Sequence, residues 1–278
     1  MKKILAPTDF STNSWKSISY AADMAKRTGA ELIVLNAYTL PYSNQTVLLS
    51  MKEILKESAE SGLQQILKKM NDELDLSGIQ VTTKAVHGDL LVTIDLMCDS
   101  ENIDLVVMGT KGATGLKAAL LGSNTANIIR NIDRPVIAVP ENYQRSDYKH
   151  ATVCADFSTD LETRVDFYVL NEICKVHSAD IRVLHVIDPY EDKMVDAKPK
   201  EVNFDQFFPG LNVTMHSNYH DDVQEGIKEF LADNPTNLLV MIRRNYNFIE
   251  SLFHRSLTRH LAMHTEIPLM VLHEGKRS

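Results

Sequence analysis

The sequence predicts an α/β protein made of two tandem, open, doubly wound parallel sheets of five strands each, with the second copy shortened. Three observations lead to this prediction. Apolar runs typical of buried strands alternate with helix-like segments, the motifs of the first half recur in the second, and 278 residues suffice for two cores of ordinary size. Such alternation favours parallel strands with helices on both faces of the sheet.

The internal repeat fixes how the two copies align. Residues 153–158 (VCADFS) repeat residues 6–11 (APTDFS) at an offset of 147, whereas residues 239–241 (LVM) repeat residues 106–108 (VVM) at an offset of 133. The change of offset places a deletion between the second and third strands of the second copy. We therefore predict one domain over residues 1–142, a second over 148–273, and a short polar linker between them.

Each element of the first copy is predicted from its apolar pattern and its end signals. Strands are expected at residues 2–6, 31–37, 80–87, 105–108 and 136–139, and helices at 14–27, 46–74, 90–100 and 123–131. Gly29 is the expected C-cap of the first helix, and the long second helix carries Leu49, Ile54, Leu63, Ile66 and Leu67 near the helical period. In the second copy, Thr159 and Glu162 have capping-box spacing, which predicts a helix starting just after Asp156.

A glycine-containing segment follows the fourth predicted strand. Residues 109–123 (GTKGATGLKAALLGS) have the spacing G-x2-G-x9-G-S, which is neither a P-loop nor G-x-G-x-x-G. Glycines just past a strand allow close approach of the main chain to a ligand, and the N-terminus of the following helix favours an anion. The pattern therefore indicates a phosphate-binding loop, although two or three loop glycines alone are equally typical of a mobile surface loop.

About a hundred residues before this spacing, a predicted strand ends in residues 7–11 (PTDFS). The two motifs together resemble the ATP-binding signature of the universal stress protein family. The resemblance covers essentially the whole chain, but it is specific in its ligand motif for the first half alone. It implies the adenine nucleotide α-hydrolase-like fold of that family, with ligands at the carboxyl ends of the strands.

The resemblance also implies roles for particular residues. Asp9, preceded by Pro7 and Thr8, would accept hydrogen bonds from the nucleoside, although a turn or N-cap role is an equal reading of its position. The main chain of Ala37, where the family usually has valine, would lie beside the adenine. The remaining implied contacts of the nucleotide are Met108, Gly109 and Gly112 along the ribose and α-phosphate, and Gly122, Ser123 and Asn124 at the distal phosphates.

The second copy lacks this motif. At the offset of 133, Gly109, Gly112 and Gly122 correspond to Ile242, Asn245 and Arg255, and Ser123 alone is kept, as Ser256. Side chains at these positions would block the approach of a nucleotide, so we predict no ATP binding there. Arg243, Arg244, Arg255 and Arg259 make this region basic, either as a solvated face or as a site for another anion. Phe204, Phe207 and Phe208 stand in place of the long helix and indicate either core packing, the default prediction, or an interface.

The implied function is that of a cytoplasmic tandem universal stress protein that senses or stores adenine nucleotide through its first copy. The cofactor would be ATP, which could be bound together with Mg²⁺ or Mn²⁺. No catalytic residues are predicted. Family members pair through their last strands, so residues 135–140 and 268–273 are expected to pair within one chain. A homodimer through other surfaces and an unknown protein partner are expected as well. Two alternatives remain open, a nucleotide-independent interaction module and an enzyme that adenylates a substrate.

Composition excludes several other classes. The net charge of −8 and the isoelectric point of about 5.7 argue against nucleic-acid binding, and no apolar run is long enough for a membrane span. Cys98, Cys154 and Cys174 form no C-x-x-C pair and predict reduced thiols of a cytoplasmic protein. His260 and His264 have i,i+4 spacing, but without a third ligand we predict two exposed histidines and no metal site.

Overall fold

The protein is described by a computed structural model. The described residues are 1–40, 45–110, 122–144, 148–155, 165–187, 189, 203–243 and 267–273, with the side chains of 45–50 and 243 excepted. Contacts divide the chain into two compact units, Met1–Glu141 and Asn142–Ser278.

Unit 1 alternates five strands with four helices. Its strands are β1 Lys3–Pro7, β2 Glu31–Tyr38, β3 Val81–His87, β4 Leu105–Gly109 and β5 Val136–Val139, and its helices are α1 Thr12–Thr28, α2 Gln45–Glu73, α3 Leu90–Ser100 and α4 Ser123–Asn131. All strands are parallel, in the order β3-β2-β1-β4-β5. The strand order reverses between β1 and β4, which is the switch point of a doubly wound sheet.

The helix ends of unit 1 follow from local side chains. Helix α1 begins two residues earlier than predicted because Ser11 is its N-cap, and the Ser11 side chain accepts a hydrogen bond from the Ser14 N–H. Gly29 is the predicted C-cap, in the left-handed conformation with φ 70°. Helix α3 is capped by Asp89, whose carboxylate accepts hydrogen bonds from Leu91 N–H and Val92 N–H.

The core of unit 1 lies on both faces of the sheet. Side chains of β1, β4 and β5 are almost completely buried, as two-sided burial of a parallel strand requires. Helix α2 covers one face through Leu63, Ile66 and Met70, whereas Ile54 is 62% exposed. Ile54 lies near the predicted helical period but is not part of the buried stripe, which among residues 51–73 begins at Ala59.

Unit 2 repeats the topology with shorter connections. Among its described residues, the strands are β6 His150–Cys154, β7 Asp180–Ile187, β8 Val213–Tyr219, β9 Leu238–Arg243 and β10 Leu269–His273, and the α-helices are α5 Tyr168–His177 and α6 Val223–Asp233. The parallel order β8-β7-β6-β9-β10 matches that of unit 1 strand for strand. The predicted fold class is thus confirmed.

Equivalent residues play equivalent roles in the two units. Asp222, the counterpart of Asp89, caps α6 by accepting hydrogen bonds from Gln224 N–H and Glu225 N–H. Between β7 and β8, the described residues form a short 3₁₀ turn, Phe204–Gln206, followed by the buried side chains of Phe207 and Phe208. The predicted core packing is confirmed for Phe207 and Phe208, whereas Phe204 is half-buried. The capping box at Thr159 and Glu162 lies outside the described residues.

Candidate functional site

A cleft opens at the switch point of unit 1, where the carboxyl ends of β1, β2 and β4 meet the N-terminus of α4. Its volume is about 310 Å³, at the lower end of the range for small-molecule sites. The residues that line it are Pro7, Thr8, Asp9, Ser14, Asn36, Ala37, Thr39, Gly88, Asp89, Leu90, Met108, Gly109, Gly122, Ser123, Asn124 and Thr125.

The structure brings most of the sequence-predicted residues together in this cleft. Those that line it are Pro7, Thr8, Asp9, Ala37, Met108, Gly109, Gly122, Ser123 and Asn124. Gly112 lies in residues 111–121, outside the described residues. The ends of that segment are tied together, because Gly122 N–H donates to the Thr110 carbonyl at 2.5 Å.

The turn between β1 and α1 is held by a buried hydrogen-bond network centred on Thr8. The Asn36 amide donates from Nδ2 to the Thr8 carbonyl at 2.8 Å, and the hydroxyls of Thr8 and Ser14 are 2.9 Å apart. Asn36, Thr8 and Ser14 are each at most 8% exposed. Because buried polar groups that are satisfied this way rarely rearrange, the main chain of the turn is fixed before a ligand arrives.

Asp9 follows Thr8 and projects at the mouth of the cleft. Its side chain is exposed, and its Oδ1 accepts a hydrogen bond from the Ser11 N–H at 3.1 Å. Asp9 is thus a turn aspartate, and Ser11 rather than Asp9 caps α1. The turn role and the ligand role are compatible, since a carboxylate has two oxygens and about four acceptor positions.

The opposite wall is the first turn of α4. Gly122 is the N-cap, and because it has no side chain it makes no side-chain hydrogen bond to the first turn of the helix. The Thr125 hydroxyl donates to the Gly109 carbonyl at 2.7 Å and so fixes this terminus against the end of β4. The first N–H groups of a helix have no partners within it and carry partial positive charge, which favours an anion. The Gly122 N–H is bonded to the Thr110 carbonyl, so the next main-chain N–H group of this terminus is that of Ser123.

Gly109 has a packing role that the sequence did not reveal. A Cβ at this position would lie 2.6 Å from Asn13 Nδ2, 2.9 Å from Asn13 Cγ and 3.1 Å from the Asn13 carbonyl oxygen. The first turn of α1 therefore lies directly against Gly109, and Asn13 is 6% exposed. We interpreted Gly109 as making room for a ligand, whereas the missing side chain first makes room for α1.

Replacing Gly109 with alanine is expected to destabilise the protein by about 1–3 kcal/mol, the usual effect of overpacking a well-filled site. The physical reason is the Asn13 carbonyl, which cannot move without shifting α1. Chemical denaturation of the single variant and of Gly109→Ala combined with Asn13→Ala would check this, because the double variant removes the side-chain clash and should recover part of the loss. Equal stability of wild type and Gly109→Ala would contradict the packing role.

Several lining residues were missed by the sequence reasoning, namely Ser14, Asn36, Thr39, Gly88, Asp89, Leu90 and Thr125. Of these, Gly88 and Asp89 had a usable signal, since they directly follow a predicted strand and parallel strands end at the same edge of a sheet. Asp9 and Asp89 are the charged residues of the described lining, so this part of the cleft is acidic.

The described part of the equivalent region of unit 2 differs from unit 1 at two places. Ile242, the counterpart of Gly109, is 4% exposed and puts a branched side chain where unit 1 packs the first turn of α1. Residues 165–167, which correspond to residues 18–20 of α1, are not helical. Asp156, Asn245, Arg255, Ser256 and the further arginines 244 and 259 lie outside the described residues, so the predicted loss of the second site stays a prediction. His260 and His264 lie there too.

The three cysteines of the chain are unreactive thiols. Cys98, Cys154 and Cys174 are free thiols, and burial raises the pKa of each to about 12. Since the thiolate is the reactive form, none of the three is activated at neutral pH. In the described part of the chain there is no group of three or more metal-ligating side chains, and no helix there is long and apolar enough to cross a membrane.

The fold is that of a doubly wound α/β protein, and a cleft lies at the switch point of its first unit. The family model described as the universal stress protein family matches residues 1–140. The chain belongs to the universal stress protein family, as its sequence motifs predicted.

Known relatives agree with this assignment. Universal stress protein MJ0531 of Methanocaldococcus jannaschii is 34% identical over 144 residues, covering 50% of this chain and 81% of the relative. Universal stress protein MJ0577 of the same organism is 28% identical over 156 residues, covering 50% of this chain and 94% of the relative. The crystal structure of a universal stress protein from Archaeoglobus fulgidus DSM 4304 matches the fold with a TM-score of 0.70 at 21% identity, over 99% of this chain and 97% of that chain.

Proposed function

We propose that the protein binds one adenine nucleotide, ATP, in the cleft of unit 1 and acts as a nucleotide-dependent regulator in the stress response. The observation that carries the proposal is the convergence of Asp9, the end of β2 and the uncapped first turn of α4 on one cleft. These groups offer an acceptor for hydroxyls, a main-chain edge for a base and donors for phosphate, which are the three parts of a nucleotide.

Each part of the cleft has a role in the proposal. The Asp9 carboxylate accepts hydrogen bonds from the ribose, the main chain at Ala37 pairs with the edge of the adenine, and N–H groups from Ser123 onward donate to phosphate oxygens. The Thr8 network and the Thr125 bond to Gly109 hold these elements in place in advance. Such preorganisation lowers the ordering cost of binding.

The charge of the cleft makes the proposed binding dependent on a divalent cation. Asp9 and Asp89 are negative, and the described lining holds no lysine, arginine or histidine to offset a triphosphate. Magnesium is commonly held by one or two carboxylates together with phosphate oxygens, and Asp9 is placed to serve as one of them. We assign no chemical step to the cleft. Unit 2 serves as a structural partner, and the free thiols support a reducing compartment such as the cytoplasm.

Calorimetric titration tests the proposal. ATP titrated into the protein with Mg²⁺ is expected to give about one site per chain, with weaker binding when EDTA replaces the metal, because the carboxylates and phosphates then repel each other. GTP serves as the control for the base and adenosine as the control for the phosphates. Absence of heat and of any thermal shift at millimolar ATP would contradict the proposal and favour the nucleotide-independent interaction module.

A further inference from the structure

Phe10 adopts an unusual backbone conformation next to the cleft. Its φ is 64°, in the left-handed region that side chains rarely occupy and that is a genuine outlier for a bulky residue. A strained residue of this kind persists only when its surroundings hold it, and such residues cluster at functional sites. The contacts of Phe10 show what holds it.

The ring of Phe10 is seated on the backbone of α2 at Gly62. A Cβ at Gly62 would lie 2.5 Å from the ring Cζ and 2.8 Å from both Cε atoms, so the tip of the ring fills the space that a side chain would occupy. Glycine is unfavourable in the interior of a helix, where alanine is the best residue. Its presence at this point of the 29-residue helix α2 is explained by the ring.

The same turn carries Asp9. Phe10 N–H donates to the Thr8 hydroxyl oxygen at 3.0 Å, and Ser11 N–H donates to Asp9 Oδ1 at 3.1 Å. The φ angle of Phe10 determines the direction of the chain between the Phe10 N–H and the Ser11 N–H. Because the Asp9 carboxylate accepts the Ser11 N–H, this angle also determines where the carboxylate lies. Neither Phe10 nor Gly62 is among the described residues that line the cleft.

We propose that the contact between Phe10 and Gly62, the Phe10 latch, is a positioning element that holds Asp9 in its binding orientation. The proposal rests on the function proposed above, because it assigns to α2 an indirect part in nucleotide binding. Phe10 is 40% exposed, so its ring can swing into solvent without opening the core. Displacing the ring should therefore release the turn while leaving the protein folded.

Binding measurements test the latch through a set of variants. Gly62→Ala is expected to weaken ATP binding about tenfold, the scale of one hydrogen bond to a charged group. It should have no further effect in a Phe10→Ala background, where the ring is absent, or in an Asp9→Asn background, where the positioned carboxylate is absent. Ser61→Ala, at the neighbouring exposed position of α2, is the matched control and should bind like the wild type. A tenfold loss that persists in the Asp9→Asn background would overturn the proposal.

Amide exchange in the ligand-free protein separates this inference from the proposed function. The N–H groups of Phe10 and Ser11 should exchange faster with water in Gly62→Ala and Phe10→Ala than in the wild type or Ser61→Ala, as measured by NMR. Unchanged exchange would overturn the latch, whether or not ATP binds. If the wild type binds no ATP, the nucleotide function fails, and faster exchange still supports the latch as the element that positions Asp9.

Discussion

Replacing Gly122 with arginine should lower the affinity for ATP by at least about a hundredfold, a loss of roughly 3 kcal/mol. Gly122 is the N-cap of α4 and lines the cleft where the proposed phosphates lie. A side chain there covers the first turn of the helix, so its N–H groups can no longer reach an anion. The second unit carries arginine at this position, Arg255, so the substitution transfers to unit 1 the feature that we expect to close unit 2.

The charge of arginine could by itself attract a phosphate, so the experiment needs two controls. Gln64→Arg adds the same side chain at an exposed position of α2 and should leave calorimetric titration with ATP unchanged. Gly122→Ala adds a single methyl group to the helix N-cap and should weaken binding much less than arginine does. Retention of wild-type affinity in Gly122→Arg would show that the nucleotide does not use the N-terminus of α4.

Much of the fold could be predicted from the sequence because its signals are local. Helices α3 and α4 and strand β5 have the predicted boundaries, since apolar periodicity and end signals lie within the elements themselves. The repeat added a second, independent reason for the strands whose motifs recur in the second copy. Ile54 shows the limit of this reasoning, because periodicity cannot tell where along a 29-residue helix the packing begins.

The candidate site was predictable only as far as its motifs reach. Asp9, Gly109 and Ser123 belong to recognisable segments, and all three line the cleft. The contacts that organise them link positions far apart in sequence, such as Asn36 to Thr8 and Phe10 to Gly62. No local pattern encodes such a pair, and the left-handed conformation of Phe10 runs against the local preference of phenylalanine.

The described part of unit 2 has a cluster of three phenylalanines in its core. Where unit 1 has the long helix α2, the described part of unit 2 packs Phe207 and Phe208 against Phe167, with ring centroids 4.9–5.9 Å from the Phe167 ring. The buried Asn171 amide donates from Nδ2 to the Phe207 carbonyl at 2.7 Å and fixes the segment. Aromatic rings bury a large area per residue, so a short segment can replace part of a helix in the core.

Phe208→Ala is therefore expected to destabilise unit 2 by about 3–5 kcal/mol, the range for removing a buried aromatic ring. Phe208 is fully buried, and its loss leaves a cavity lined by Phe167 and Phe207 that the fixed Asn171 bond prevents from collapsing. Hydrogen exchange measured peptide by peptide should show the loss in β7, β8 and α5, while Phe204→Ala, at a less buried position of the same segment, should have a much smaller effect.

The affinity for ATP should not change under conditions where both variants are folded, because no residue of this cluster lines the cleft of unit 1. A loss of ATP binding in folded Phe208→Ala would contradict the assignment of binding to unit 1 alone. A destabilisation below about 1 kcal/mol would contradict the role of Phe208 as a core residue of unit 2.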